Sequence, residues 1–166
     1  DRMLLGDIMK DVVDLLEQFH IPYQAVHHPA AWTTDEADTY IEGMEGCRTK
    51  TIFLAGKKDR HFYLVILDDH KRLDIKKLNE LLEDKLHFAS EETLQRKLQI
   101  VPGMVSIFNL IHNQDHDVQV VIDRDLLEEK IVTFHPNDNT VTIFIALSDM
   151  FRFLELIHYD YQLFLL

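Results

Sequence analysis

Apolar and polar positions alternate along this chain with two periods, and the switches between them mark the elements. Leu4, Leu5, Ile8, Val12, Leu15, Leu16 and Phe19 recur at helical spacing until Pro22 ends the run. Residues 23–27 then read as a short strand. In Thr33-Thr34-Asp35-Glu36 a threonine stands three residues before a glutamate, the capping-box signature, which predicts a short helix from Thr33 as N-cap to about Gly43. Two apolar, β-prone runs, 51–55 and 62–67, flank Gly56-Lys57-Lys58-Asp59-Arg60 and predict a hairpin. Asp74 is placed to cap a helix carrying Ile75, Leu78, Leu81 and Leu82, and Ser90 to cap another carrying Leu94 and Leu98. Pro102-Gly103 breaks the chain into a loop, and further strands are expected at 118–122, 131–134 and 141–145. Ser148 is expected to cap a helix bearing Phe151, Leu154 and Ile157, and the apolar tail 161–166 to form a last strand or a packed extension.

Strands and helices alternate irregularly, with hairpins among the strands and no repeat or linker. That order predicts an α+β fold, a mixed sheet with flanking helices, rather than a doubly wound parallel sheet. A chain of 166 residues suits one domain, 1–166, able to bury a core without staples. The single cysteine, Cys47, excludes a disulfide framework and is expected to be a small buried or half-buried thiol. The opening segment is acidic and helical in period, so no signal peptide is expected, and no apolar run approaches the roughly 20 residues that span a bilayer. The expected location is the cytoplasm, without membrane contact. A net charge of −12 argues against a protein that wraps duplex nucleic acid. The cations are local instead: Arg48, Lys50, Lys57, Lys58 and Arg60 around the hairpin, then Lys71, Arg72, Lys76 and Lys77. Such a strip suits a few phosphates at the end of an RNA.

Several common chemistries find no support. His112 and His116 are four apart, but in a polar, loop-like segment without the helical frame that aims two rings at one ion, and neighbours such as His27 and His28 point to opposite sides of a strand. There is no GxSxG elbow, no P-loop and no GxGxxG, so neither metal nor cofactor is expected. Four loop or strand-end segments remain: HHPAAWTTDEA (27–37), GCRTKTIFLAGKK (46–58), VPGMVSIFNL (101–110) and FHPNDNTVTIF (134–144). Lys50 begins an apolar strand just after a glycine loop, where an ammonium is costly unless it meets an anion or lines a cavity; a lysine snorkelling at a strand edge is the plainer reading. Glycine at 103 lets main-chain N–H groups approach a ligand carbonyl, and His135 can add a hydrogen bond beside it. Three independent turns explain the same residues equally well.

These segments, in this order, resemble the YbaK/prolyl-tRNA-editing family, the free-standing relatives of the editing insertion of bacterial prolyl-tRNA synthetase. His28-Pro29-Ala30-Ala31-Trp32-Thr33 with Asp35-Glu36-Ala37 is similar to its HPPxxT-x-EEA opening, and Lys50-Thr51-Ile52-Phe53-Leu54 to its KNLFL strand. Lys71 to Leu78, Phe88-Ala89-Ser90, Gly103-Met104-Val105-Ser106, and Phe134-His135-Pro136-Asn137 with Asn139 and Thr142 match further blocks. The segment Asp149-Met150-Phe151-Arg152-Phe153-Leu154 resembles the branch that removes alanine from mischarged proline tRNA. The resemblance implies a curved, barrel-like mixed sheet ringed by helices, with an aminoacyl pocket between the glycine loop and the lysine strand. It implies Lys50 and Gly103 as catalytic positions, and Thr51, Met104, Val105, Ser106, His135, His28, Thr33 and Asn139 as substrate contacts. The implied activity is hydrolysis of the ester in mischarged prolyl-isoacceptor tRNA, chiefly with alanine. Removal of cysteine or serine, and a non-catalytic aminoacyl-tRNA binder, are the alternatives. The implied partner is the acceptor 3′ end of that tRNA, with prolyl-tRNA synthetase a further candidate. Two positions depart from the family pattern: Ile107 stands where the glycine loop usually ends in proline, and Asn109 where glycine is common.

Overall fold

A computed structural model describes residues 5–136 and 138–166; Leu4 and Asn137 lie outside the described residues. Helix α1 (Leu5–Gln18) leads into β1 (Tyr23–His27) and α2 (Thr34–Tyr40). The hairpin joins β2 (Cys47–Ala55) to β3 (Phe62–Asp68). Next come α3 (Ile75–Leu82), a two-residue strand β4 (His87–Phe88) and α4 (Glu91–Leu98). The second half holds β5 (Val118–Asp123), β6 (Ile131–Phe134), β7 (Val141–Ala146), α5 (Leu147–Leu156) and β8 (Tyr161–Phe164).

The expected caps form at three helices. The hydroxyls of Thr33 and Ser90 and the carboxylate of Asp74 accept main-chain N–H groups of Glu36, Thr93 and Lys77. The α2 box is shifted by one residue: the Glu36 carboxylate takes the N–H of Trp32 rather than that of Thr33. Ser148 corrects an expectation. Helix α5 opens directly out of β7, with Ala146 at the N-cap and no side-chain cap, so Ser148 sits inside the first turn.

The strands form one mixed sheet in the order β1-β7-β6-β2-β3-β5-β8, with β4 added to β2. β2 runs antiparallel to β3, while β2–β6, β3–β5 and β5–β8 are parallel. Among the described pairings β1 and β8 remain edges, so the sheet does not close into a ring. β3 is central and buried on both faces, which is why its sequence is a continuous apolar run. Phe62, Leu64 and Ile66 join the larger core beneath α1, α4 and α5; Tyr63, Val65 and Leu67 join a smaller one against α3. The expected mixed sheet with flanking helices is the observed architecture. No helix among the described residues is long and apolar enough to cross a membrane.

Candidate active site

The site arises where β2 changes partner. β6 pairs with it only at Cys47 and Arg48, and β4 only at Leu54 and Ala55, while β3 holds its other side from Thr49 to Ala55. The Thr49 hydroxyl donates to the Thr133 carbonyl at 2.5 Å, the last link before β2 and β6 part. Beyond it a cavity of about 280 Å³ opens between Thr49, Lys50 and Thr51 on one side and Phe134 and His135 on the other. Trp32, Thr33, Gly103 and Val105 complete its walls. Consecutive strand residues point to opposite faces, so a cavity bordered by 49, 50 and 51 must lie at the open edge of the strand rather than over one face.

Pro102 and Gly103 shape the facing wall. The Met104 N–H donates to the Val101 carbonyl at 3.3 Å, and Gly103 has φ +84°, the pattern of a type II turn with proline and glycine at its centre. A Cβ at Gly103 would meet no protein atom within 4 Å, so glycine is required by the dihedral, not by crowding. The turn engages the N–H of Met104, and the Asn109 side chain accepts that of Ser106 at 2.6 Å. Among the described residues the N–H groups of Gly103 and Val105 have no partner, and both residues border the cavity. Ser106 and Asn109 close a capping box over the 3-10 segment Ile107–His112, and Ile107 packs into the core. The loop is therefore held by hydrogen bonds and burial where the family pattern has proline.

The histidines form a chain behind the cavity. His28 Nδ1 donates to the Pro29 carbonyl at 2.9 Å, and its Nε2 lies 2.9 Å from the Thr142 hydroxyl. His135 Nδ1 faces the Thr142 hydroxyl and the Val141 carbonyl, each at 3.4 Å. A carbonyl only accepts, so the network assigns the His135 proton to Nδ1 and leaves Nε2 as the acceptor available to a ligand. Burial holds the His135 pKa below the ordinary imidazole value, which favours that neutral ring.

Lys50 is half-buried, and among the described residues its ammonium makes neither an ion pair nor a hydrogen bond. Arg48, two residues earlier, is different: its guanidinium donates to the carbonyls of Ile41, Met44 and Gly46 and lies over the Phe144 ring. A second, smaller cavity of about 30 Å³ adjoins the first, with Ala31, Ala37 and Met104 among its walls beside Asp138 and Asn139. Trp32, Thr33, Gly103 and His135 border both. Cys47 is buried, and burial with Asp68 pushes its thiol up to about 12, so it is no nucleophile near neutral pH. Among the described residues one group of possible metal ligands gathers, Asp68, Asp69 and His70 at the end of β3. It stands off the cavity walls, and the Asp68 carboxylate already accepts the His70 main-chain N–H.

Of the expected site residues, Lys50, Thr51, Thr33, Gly103, Met104, Val105, His135 and Asn139 meet around these two adjoining cavities. Two are moved off the walls. Ser106 is buried as the cap of its 3-10 segment, and His28 stands behind Thr142, supporting His135. The sequence reading missed Trp32, Thr49 and Phe134. Trp32 and Phe134 had a usable signal, large aromatics inside matched motifs; Thr49 is legible only once β2 and β6 are known to part.

The aminoacyl-tRNA editing domain family matches residues 28–153. The prolyl-tRNA editing protein ProX of Acetoanaerobium sticklandii is 33% identical over 146 residues, covering 87% of this chain and 88% of that protein. Prolyl-tRNA synthetase associated domain-containing protein 1 of Danio rerio is 30% identical over 152 residues, 90% of this chain and 82% of that one. The fold is shared with the crystal structure of a candidate trans-editing enzyme for prolyl tRNA synthetase, at TM-score 0.71 and 21% identity over 93% of this chain and 94% of that one. With a family match that runs from His28 at the first histidine motif to Phe153 in α5, the chain belongs to the aminoacyl-tRNA editing domain family.

Proposed function

We propose that this site hydrolyses the ester that joins a wrongly attached alanine to the terminal adenosine of proline tRNA. One observation carries the reading: Lys50 and two residues whose N–H groups have no partner among the described residues, Gly103 and Val105, border a single cavity. Water attacks the ester carbonyl, and negative charge grows on its oxygen. The two N–H groups and the nearby ammonium stabilise that charge, each well-placed donor contributing on the order of 3 kcal/mol. The carbon–oxygen bond to the ribose then breaks; the ribose oxygen takes a proton, and alanine leaves with its carboxyl group. Among the described residues no carboxylate borders the larger cavity, so the ribose hydroxyl beside the ester helps activate the water, and His135 Nε2 is the ring nitrogen free to hold that hydroxyl.

The smaller cavity supports alanine as the preferred residue. At about 30 Å³ it is far smaller than the cavity beside it, and its alanine and methionine walls favour a methyl over a larger side chain. The relatives named for prolyl-tRNA editing and for prolyl-tRNA synthetase point to the same tRNA. The partner is then the 3′ end of mischarged tRNA, with the synthetase that mischarges it as a second candidate and the cytoplasm as the place of work. The purified protein should be given proline tRNA carrying alanine, serine, cysteine or proline. Alanine is expected to be released fastest and proline to be retained; alanine lost no faster than in buffer would overturn the activity, and cysteine or serine lost faster would overturn the preference.

A further inference from the structure

Trp32 is the only tryptophan of the chain and, at 76% exposed, the most exposed large apolar side chain described. It adds almost nothing to the core, yet it borders both cavities. Its main chain is fixed on each side. The Ala31 N–H donates to the Asn139 carbonyl at 2.9 Å, Trp32's own N–H donates to the Glu36 carboxylate at 3.1 Å, and Thr33 caps α2. A large flat ring is thus carried on a fixed stretch of main chain at the rim of the cleft and left largely exposed to solvent. Thr33, Asp138, Asn139 and His135 around it can meet sugar hydroxyls or a base edge.

Resting on the reading above, we infer that Trp32 is the stacking platform for the purine base of the nucleoside esterified in the cavity. The acyl carbonyl lies between Lys50 and the Gly103 turn in that reading, so the ribose fills the remainder of the larger cavity and its base emerges at the rim. Every base has a π-face, and an indole offers the largest protein surface for it. The stack holds the alcohol half of the ester without touching the reacting carbonyl, so Trp32 acts in binding.

Because the chain has one tryptophan, its emission reports this ring alone. The probe is a short oligoribonucleotide ending in cytidine-cytidine-adenosine, compared with the same oligonucleotide whose last ribose lacks its base. The intact probe is expected to quench the emission of the wild-type protein in a saturable way, and the abasic one to leave it unchanged. Equal responses to the two, or no response to either, would overturn the inference. A second arm measures deacylation of alanyl-tRNA by Trp32→Ala and Trp32→Phe. Loss of the stack should raise KM roughly 5- to 150-fold, more than it lowers kcat, with phenylalanine recovering most of the loss. An unchanged KM in Trp32→Ala also overturns it. If the wild type binds the base but releases no alanine, the proposed activity falls while the base subsite stands; if alanine is released and the base is not sensed, the reverse holds.

Discussion

Lys50 shows what one residue can and cannot announce. A lysine opening an apolar strand reads more plainly as a snorkelling edge residue than as a site cation; the structure shows it half-buried, at an open strand edge, with no acid within ion-pair distance among the described residues. Trp32 stands inside a matched motif, and its exposure is what separates it from a core aromatic. A carboxyl pair behind the site offers a test at the same scale. Burial and the neighbouring Asp69 raise Asp38 from 3.8 to about 8. The folded state therefore binds this proton more tightly than the unfolded chain. The resulting stability is present below the unfolded value and is lost as pH rises through about 8. Asp38→Asn is expected to raise Tm over wild type by a margin that grows between about pH 4 and pH 8 and then levels off. A margin that shrinks across that range would contradict the assignment.

At the scale of elements, apolar patterning and caps made most of the fold legible: β1, β3, β5, β6 and β7 lie where the β-prone runs place them, and α2, α3 and α4 follow directly on their caps Thr33, Asp74 and Ser90. Short pieces were not legible. β4 has two exposed residues, and the 3-10 segments Ile107–His112 and Arg124–Glu128 carry no period long enough to read. Which of these residues form the site was legible only through the order of motifs, because the cavity exists where β2 leaves β6, and strand pairing is invisible in a single sequence. The turn facing it carries a chain-specific restraint. Asn109→Ala removes the acceptor of the buried Ser106 N–H, which costs about 1–3 kcal/mol, and is expected to lower Tm by several degrees and to slow deacylation beyond any fall in folded fraction. Introducing proline at position 107 in that background should recover part of the rate, since it restrains φ covalently. Thermal melts and single-turnover rates of the three proteins decide it; an Asn109→Ala protein with wild-type stability and rate would show that the box does not hold the loop.

For the whole molecule, the charge of −12 and the local cations set how RNA is met. Two of the expected phosphate contacts are engaged inside the protein: Arg48 on three carbonyls, and Lys71 on Asp123 and Asp125. Lys57, Lys58 and Arg60 on the hairpin stay exposed, as do Arg72 and Lys76 after it, enough for about three to five phosphates. The logarithm of tRNA affinity should then fall against the logarithm of salt with a slope of roughly −2 to −4. A slope several times steeper would mean that the RNA is wrapped rather than touched at its end. The most direct measurement of the central claim is single-turnover release of alanine from proline tRNA by wild type and Lys50→Ala, each confirmed folded. The wild type is expected to release alanine far faster than buffer and to spare proline, with Lys50→Ala slower by roughly 10²–10³-fold, the scale of a lost charge-stabilising group. Full rate in the Lys50→Ala protein would contradict a site built on Lys50 and the Gly103 turn.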